Sequence, residues 1–209
     1  MISADIILAP QPHDRKNRII DAAERCFVRT GFHRTTMQDV AVECAMSPGN
    51  LYRYFPSKDA IVAGLAERDR DEFNRDFVKL ADVPDPAQAF IALGRRHLVQ
   101  EPRSKAMMMM EIWSEACRNP RIAEICFVMD KSITDCMTQF IAHWRLADGL
   151  VGMGTPDEAA VVVIALADGL FRRRATDPTF EPSSAFNLAL PIIFAMVGAP
   201  LPNLSEALS

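Results

Sequence analysis

A chain of 209 residues, 49% apolar and 24% charged, is long and apolar enough to bury a sizeable core, which excludes wholesale disorder. Its net charge of −4 argues against a generally basic nucleic-acid binder, yet residues 13–60 hold eight Lys/Arg against six Asp/Glu, and the acidic excess lies after them. No apolar run reaches the roughly 20 residues of a membrane span, and the opening "MISADIILAPQPHD" lacks the basic start of an export signal, so no membrane partner is expected.

Five cysteines without a CxxC pair read as small core residues in a reducing cytoplasm. Four histidines without HxxxH spacing or a close Cys partner give no metal site, and no cofactor is expected.

Helical spacing runs through the whole chain, and no sustained strand alternation interrupts it. Residues 1–12 read as a flexible tail. From about Arg15 to Thr30 an apolar stripe of Ile19, Ala22, Ala23, Cys26 and Phe27 predicts a first helix, stopped by Gly31. Thr36 caps a second, with Asp39 three residues on as a short capping box. Ala45-Met46-Ser47 is a tight turn. Ser47 then caps a third helix with Pro48 at its first position. Pro56 ends that helix, and Ser57 caps a fourth that runs to about Leu80. After the break "ADVPDPAQ", helices are expected at 86–100, 103–117, 120–148, 156–175 and 182–198. The fold class is all-α with about nine helices. Residues 13–60 form a helix-turn-helix domain (motif about 36–55), and 61–209 form a larger helical domain.

The stretch "SPGNLYRYFPSKDAI" raises the question of why a short helix carries so many aromatics beside a positive charge. At 100° per residue, Leu51 and Phe55 share an inward face with Met46 nearby. Gly49, Asn50, Arg53 and Tyr54 fall opposite, with Tyr52 at the flank. The tyrosine hydroxyls can donate to phosphates, Arg53 adds charge, Asn50 can reach a base edge, and Gly49 allows a close approach. Lys58, at the start of the fourth helix, puts an ammonium beside exposed N–H groups, which reads as a phosphate site. The plainer alternative is that the tyrosines pack at an inter-helix surface.

The segment "TTMQDVAVECAMSPGNLYRYFPSKDAIVAGL" resembles the DNA-binding signature of the TetR family of bacterial transcriptional regulators over about Arg15–Leu65. The resemblance rests on the Thr-Thr start, the Val-Ala pair, the Ser-x-Gly-x-Leu-Tyr core, the Tyr-x-x-Phe ending and the Ser-Lys-Asp helix start. It implies a three-helix DNA-binding domain and a larger helical domain for ligand and dimerisation, with repression of a palindromic double-stranded operator relieved by a small-molecule inducer. It further implies phosphate contacts from Thr36, Tyr52, Tyr54 and Lys58, and groove contacts near Pro48, Gly49 and Asn50. One departure is Ala45, where the family's turn often carries glycine; alanine tolerates a positive φ poorly, so a turn that is slightly strained or differently shaped is expected. The later segment "LADGLFRRR" is similar to helices of the choline-responsive BetI group.

Two helices near the C-terminus, "PDEAAVVVIALADGLFRRRAT" and "SSAFNLALPIIFAMVGAP", are apolar on nearly all faces, the second with a kink expected at Pro191. They either form the core of a monomer or meet their copies in a homodimer, and the family pattern favours the homodimer, with Phe194 and Val163 in its interface. In "KAMMMMEIWSEA" four methionines cover every direction of a turn. Met107, Met110, Trp113, Phe127, Met137, Phe140, Trp144 and Phe171 are expected to wall a cavity for an apolar or aromatic inducer, with Glu111, Glu115 and Asp135 supplying a negative partner should the ligand be cationic. For any one of these residues ordinary core packing is the simpler reading. No Glu-x-x-His, no defensible Ser/His/Asp order and no Gly-rich phosphate loop points to an enzyme. A constitutive DNA-binding regulator without ligand, or a helical-bundle binding protein, is the alternative.

Overall fold

The computed structural model describes residues 12–80 and 83–202, so the N-terminal tail lies outside the described residues apart from Pro12. Within these, the chain forms α1 (Pro12–Thr30), α2 (Met37–Glu43), α3 (Pro48–Tyr54), α4 (Lys58–Leu80), α5 (Pro86–Arg95), α6 (Arg103–Ala116), α7 (Pro120–Asp148), α8 (Pro156–Thr176) and α9 (Pro182–Val197), with no strand among the described residues. Two compact units divide between Leu65 and Ala66, so the start of α4 belongs to the first and its remainder to the second. The division lies a full helical turn beyond Ala60 because Ile61, Val62 and Leu65 are buried, and Gly64 sits close against Phe55 and Ile20.

In the first unit the stripe read from the sequence, Ile19, Ala22, Ala23, Cys26 and Phe27, is wholly buried, together with Val40, Ala41, Leu51 and Phe55. Gly31 ends α1 in the left-handed region, φ +87°. Phe32 then turns back edge-on to Phe27, with ring centroids 5.3 Å apart. Thr36 and Asp39 form a full capping box at the start of α2. The end of α2 is a Schellman motif: Met46 N–H donates to Ala41 O (2.9 Å) and Ala45 N–H to Val42 O (3.0 Å). Ala45 occupies its left-handed position at φ +55°, the only non-glycine residue among those described with a positive φ. The strained turn expected from the sequence is therefore present. An alanine held there costs about 1–2 kcal/mol, partly offset by the greater chain entropy of an unfolded glycine. Ala45→Gly should raise the stability of this unit by about 0.5–1 kcal/mol in a thermal melt, without moving the helices.

In the second unit an aromatic cluster forms the centre: Phe90 stacks on Phe140 at 5.4 Å, and Trp144 meets Phe140 at 5.4 Å and Phe194 at 6.0 Å. The helix expected over 86–100 is α5 followed by a π-helical turn, Arg96–Gln100. The Leu98 carbonyl in that turn accepts from Arg174 (2.9 Å). Arg103 donates to the carbonyls of Arg174 (3.0 Å) and Ala175 (2.8 Å), which satisfies the C-terminal end of α8. Within the run Arg172–Arg174, half-buried Arg174 thus serves the end of the neighbouring π-helical turn. Helix α9 continues through Pro191.

Val163 and Phe194, expected in a dimer interface, are instead 5% and 2% exposed inside the core of a single chain. Each apolar helix turns its large side chains inward first, and what remains uncovered is a different stripe. Val161 and Val162 stay exposed on α8, and Leu188 (77%) and Ile192 (52%) on α9, the last two spaced one turn apart on one face. The expectation that these helices are buried on every side is not met within one chain.

Candidate nucleic-acid interface and ligand cavities

The turn and the Ser47 cap fix how α3 leaves the first unit. Ser47 Oγ accepts from Asn50 N–H (3.3 Å), and Pro48 fills the first helical position. Leu51 and Phe55 point in, as their spacing requires. Thr36, Pro48, Gly49, Tyr52 and Arg53 are exposed, while Asn50, Tyr54 and Lys58 are half-buried. Nothing lies within 4 Å of where a Cβ on Gly49 would stand, so no packing demand inside the chain explains the glycine. Close approach of a partner to the start of α3 remains a physical reason for it.

Tyr54 is not simply outward. Its hydroxyl accepts from Arg15 of α1 at 3.4 Å, which leaves its own O–H to donate. Arg15 was passed over in the sequence, because nothing in its spacing links the start of α1 to a residue 39 positions on. Thr36 spends its hydroxyl on the cap: Oγ1 donates to Asp39 Oδ2 (2.7 Å) and accepts from Asp39 N–H (3.2 Å). The hydroxyl's bond to Oδ2, followed by that of the Thr36 N–H (2.8 Å), holds the Asp39 carboxyl below its ordinary range. Glu43 joins α2 to α1 through Arg25 (2.9 Å) and Arg29 (3.0 Å).

Lys58 takes a different place from the phosphate anchor expected at the start of α4. Its Nζ donates to the carbonyls of Phe32 (2.6 Å) and Thr35 (3.1 Å), with His33 O at 3.4 Å, and lies 4.3 Å from the centre of the Phe32 ring. The loop after α1 presents orphan carbonyls, and an ammonium on a four-carbon stem reaches them before it reaches solvent. Lys58→Met should therefore destabilise the first unit by about 1–3 kcal/mol, since charge-assisted bonds are lost and carbonyls are left bare. A denaturant melt of the two proteins measures it.

The eight residues expected around a single cavity are not brought together. Met137, Phe140 and Trp144 belong to the buried aromatic core. Met110 and Trp113 line an open cleft of about 390 Å³ with Asp130, Asp168, Gly169 and Arg172, and Phe171 sits 6.0 Å from the Trp113 ring. Phe127 is 67% exposed and Met107 45% exposed, and neither lines this cleft. The reason is the length of α7: 29 residues turn through every direction, and apolar residues on its outer side cannot reach the seam that Met137 and Phe140 fill.

The carboxylates differ as well. Glu115 pairs with Arg118 (2.7 Å) and Asp135 with Lys131 (2.8 Å), both at the surface. The acids at the cleft are Asp130 and Asp168. Both are exposed to solvent, yet desolvation by the neighbouring protein pushes both above the usual carboxylate range, and Asp168 is raised further by the neighbouring Asp130.

A second, partly open cavity of about 100 Å³ lies where the later part of α4, α5 with its π-helical turn, and α7, α8 and α9 converge. Phe73, Phe77, Phe90, Met137 and Phe186 help to wall it, and His97 is its only polar side chain. The sequence did not single out His97, because a lone histidine on an apolar stripe carries no local signal. No group of three or more His, Cys, Asp or Glu among the described residues could hold a metal ion, and no described helix is long and apolar enough to cross a membrane.

Two family models cover most of the chain: "Bacterial regulatory proteins, tetR family" over residues 19–65, and "BetI-type transcriptional repressor, C-terminal" over residues 86–193. The chain is 29% identical over 138 residues to the transcriptional regulator UidR of Escherichia coli, covering 64% of this chain and 65% of that protein's length, a little under two thirds. It is 27% identical over 174 residues to the regulator TtgR of Pseudomonas putida, covering 78% and 81%. Among solved structures, GusR of Salmonella enterica superposes with a TM-score of 0.74 at 22% identity, covering 90% of this chain and 97% of that one. A transcriptional regulator of Saccharomonospora viridis in complex with choline superposes with a TM-score of 0.71 at 22% identity, covering 87% and 96%. The named relatives are transcriptional regulators, not enzymes.

Proposed function

The chain belongs to the TetR family of bacterial DNA-binding transcriptional regulators, and we propose that it is a repressor that grips a palindromic operator as a homodimer and lets go when a small, mostly apolar or aromatic inducer enters its second unit. The observation that carries the reading is α3: a short helix whose start bears exposed Pro48, Gly49, Tyr52 and Arg53 around a half-buried Asn50, locked inward by Leu51 and Phe55. Tyr52, Arg53 and the Tyr54 hydroxyl steadied by Arg15 suit phosphates, and Asn50 suits a base edge. Such a protein works in the cytoplasm, where DNA and reduced cysteines coexist.

Fluorescence anisotropy on promoter fragments tests this. Arg53→Ala should weaken binding to all sequences alike and lower the salt slope by about one unit. Asn50→Ala should cost about 1–3 kcal/mol on the best site and little elsewhere, which relaxes sequence preference. Equal losses on specific and random duplexes for Asn50→Ala would remove it from base reading.

A cationic inducer is the second reading, and the open cleft favours it. Trp113 and Phe171 stand beside Asp130 and Asp168, and aromatic faces with a carboxylate suit an organic cation such as the choline held by the Saccharomonospora viridis regulator. The two tryptophans separate the readings. Trp113 lines the cleft and Trp144 lies in the core, so a cleft ligand should change emission in the native protein and not in Trp113→Phe.

A further inference from the structure

The apolar cavity in the second unit has a chemistry of its own. Its wall is built from phenylalanine, leucine, isoleucine, valine, methionine and alanine side chains, with one imidazole. No carboxylate, lysine or arginine lines it, so a charged ligand would enter without a counter-charge, which is strongly unfavourable. At about 100 Å³ it is smaller than the ~300–1,000 Å³ of drug-sized pockets and closer to the ~150 Å³ apolar cavity that takes benzene.

His97 is set in a defined state. Its Nε2 lies 3.3 Å from an Arg96 guanidinium nitrogen, and Arg96 is itself paired with Glu72 and Asp76. Burial, then the neighbouring Arg96 charge, hold the imidazole below its ordinary range and so neutral at pH 7; Asp76, 3.9 Å away, and Glu101 and Glu72 oppose this and do not overcome it. Phe73 packs against the ring at 5.6 Å. The ring is carried on the π-helical turn, a form of backbone found frequently at functional sites.

We infer that this cavity takes one compact, uncharged ligand of about single-ring size bearing one hydrogen-bond acceptor, and that the N–H of the His97 imidazole, the one polar side chain in the wall, donates to that acceptor. The inference rests on the reading of the chain as a ligand-responsive regulator and names the ligand class of its second unit.

Isothermal titration calorimetry on the full chain without DNA tests it with three probes of one shape: cyclohexanone, methylenecyclohexane and cyclohexylammonium. Cyclohexanone should bind roughly tenfold more tightly than methylenecyclohexane, the effect of one buried hydrogen bond. Cyclohexylammonium should not displace it. In His97→Phe the two neutral rings should bind alike. In Ala167→Leu, which fills the cavity from α8, both should bind at least about tenfold more weakly. Displacement of cyclohexanone by the cation, a ketone preference that survives His97→Phe, or no neutral binding at millimolar probe would each overturn the inference. Should Ala167→Leu not fold, His97→Phe and the competition decide alone. A separate anisotropy titration on operator DNA keeps the two readings apart. Neutral probes that bind as described while operator affinity stays constant would leave the site standing and sink release by this class of ligand.

Discussion

Leu188→Asp combined with Ile192→Asp is expected to give a folded, fully helical chain that sediments as a monomer and binds a palindromic operator about 10²–10⁴-fold more weakly. Both residues project from α9 on one face, 77% and 52% exposed, and Val161 and Val162 extend the uncovered apolar surface on α8. A stripe of this kind on two neighbouring helices exposes more apolar area than scattered surface residues would, and a second copy of the same stripe can cover it by twofold symmetry. Aspartates opposite one another across that axis would be buried like charges without partners. The loss at the operator follows from geometry. Two half-sites about one DNA turn or more apart need two reading helices held together, and each alone binds with only its own affinity. Sedimentation, circular dichroism and anisotropy on one preparation measure the three parts. A double variant that stays dimeric would place the interface elsewhere. Phe194→Asp and Val163→Asp cannot serve for this test, since both positions lie in the core of a single chain and the charge would unfold the second unit.

The contrast between Phe194 and Ile192 shows where the sequence stops being informative. Both stand in the run "LPIIFAMV", and both are large and apolar. A helix apolar all round announces burial on several sides, but not which residues meet the same chain and which wait for a partner. In the first unit one face of each helix is polar, so α1, the capping box at Thr36, the αL position at Ala45 and the inward pair Leu51 and Phe55 were all legible in advance. Lys58 was not, because local spacing cannot say that carbonyls 23 and 26 residues earlier in the chain come within reach of its ammonium. The ligand wall was the least legible. Aromatic and methionine content drew attention to Phe127 and Met107, which are exposed, and passed over Phe73, Phe77, Gly94 and His97, which gather at the cavity only after α7, α8 and α9 have closed around them. Gly94 shows the dependence: a Cβ there would stand 2.9 Å from the Phe186 ring, a contact that exists only in the folded chain.

Arg145→Ala is expected to cost about 2–5 kcal/mol of stability, more than a surface arginine should, and to loosen the ends of three segments together. Its guanidinium donates to Val197 O (3.0 Å) and Met196 O (2.6 Å) at the end of α9, and to Gly154 O (2.8 Å) in the connection to α8, with Met153 O at 3.4 Å. These are carbonyls with few alternatives. Those of Met196 and Val197 belong to the last turn of a helix and have no partner within it. The chain there is also too crowded to move aside, since a Cβ on Gly152 would meet the Arg145 guanidinium and the Met196 carbonyl at 2.3 Å each. The positive charge meets the negative end of the α9 dipole, which adds to the bonds. Removing the side chain strips this group of carbonyls at once, and water can replace only those on the exposed side. Lysine should restore a minor part, because a point ammonium cannot span acceptors on both sides of a planar fork. The measurement is a denaturant melt of native, Arg145→Ala and Arg145→Lys proteins followed by hydrogen exchange at 145–156 and 190–198. A loss under about 1 kcal/mol for Arg145→Ala, the level of a surface pair, would show that the loop and the α9 end hold each other without it. Because the exposed stripe of Leu188 and Ile192 rides on the same helix, a loosened α9 should also weaken dimerisation, so the same variant should bind operator less tightly at low protein concentration and recover when concentration is raised.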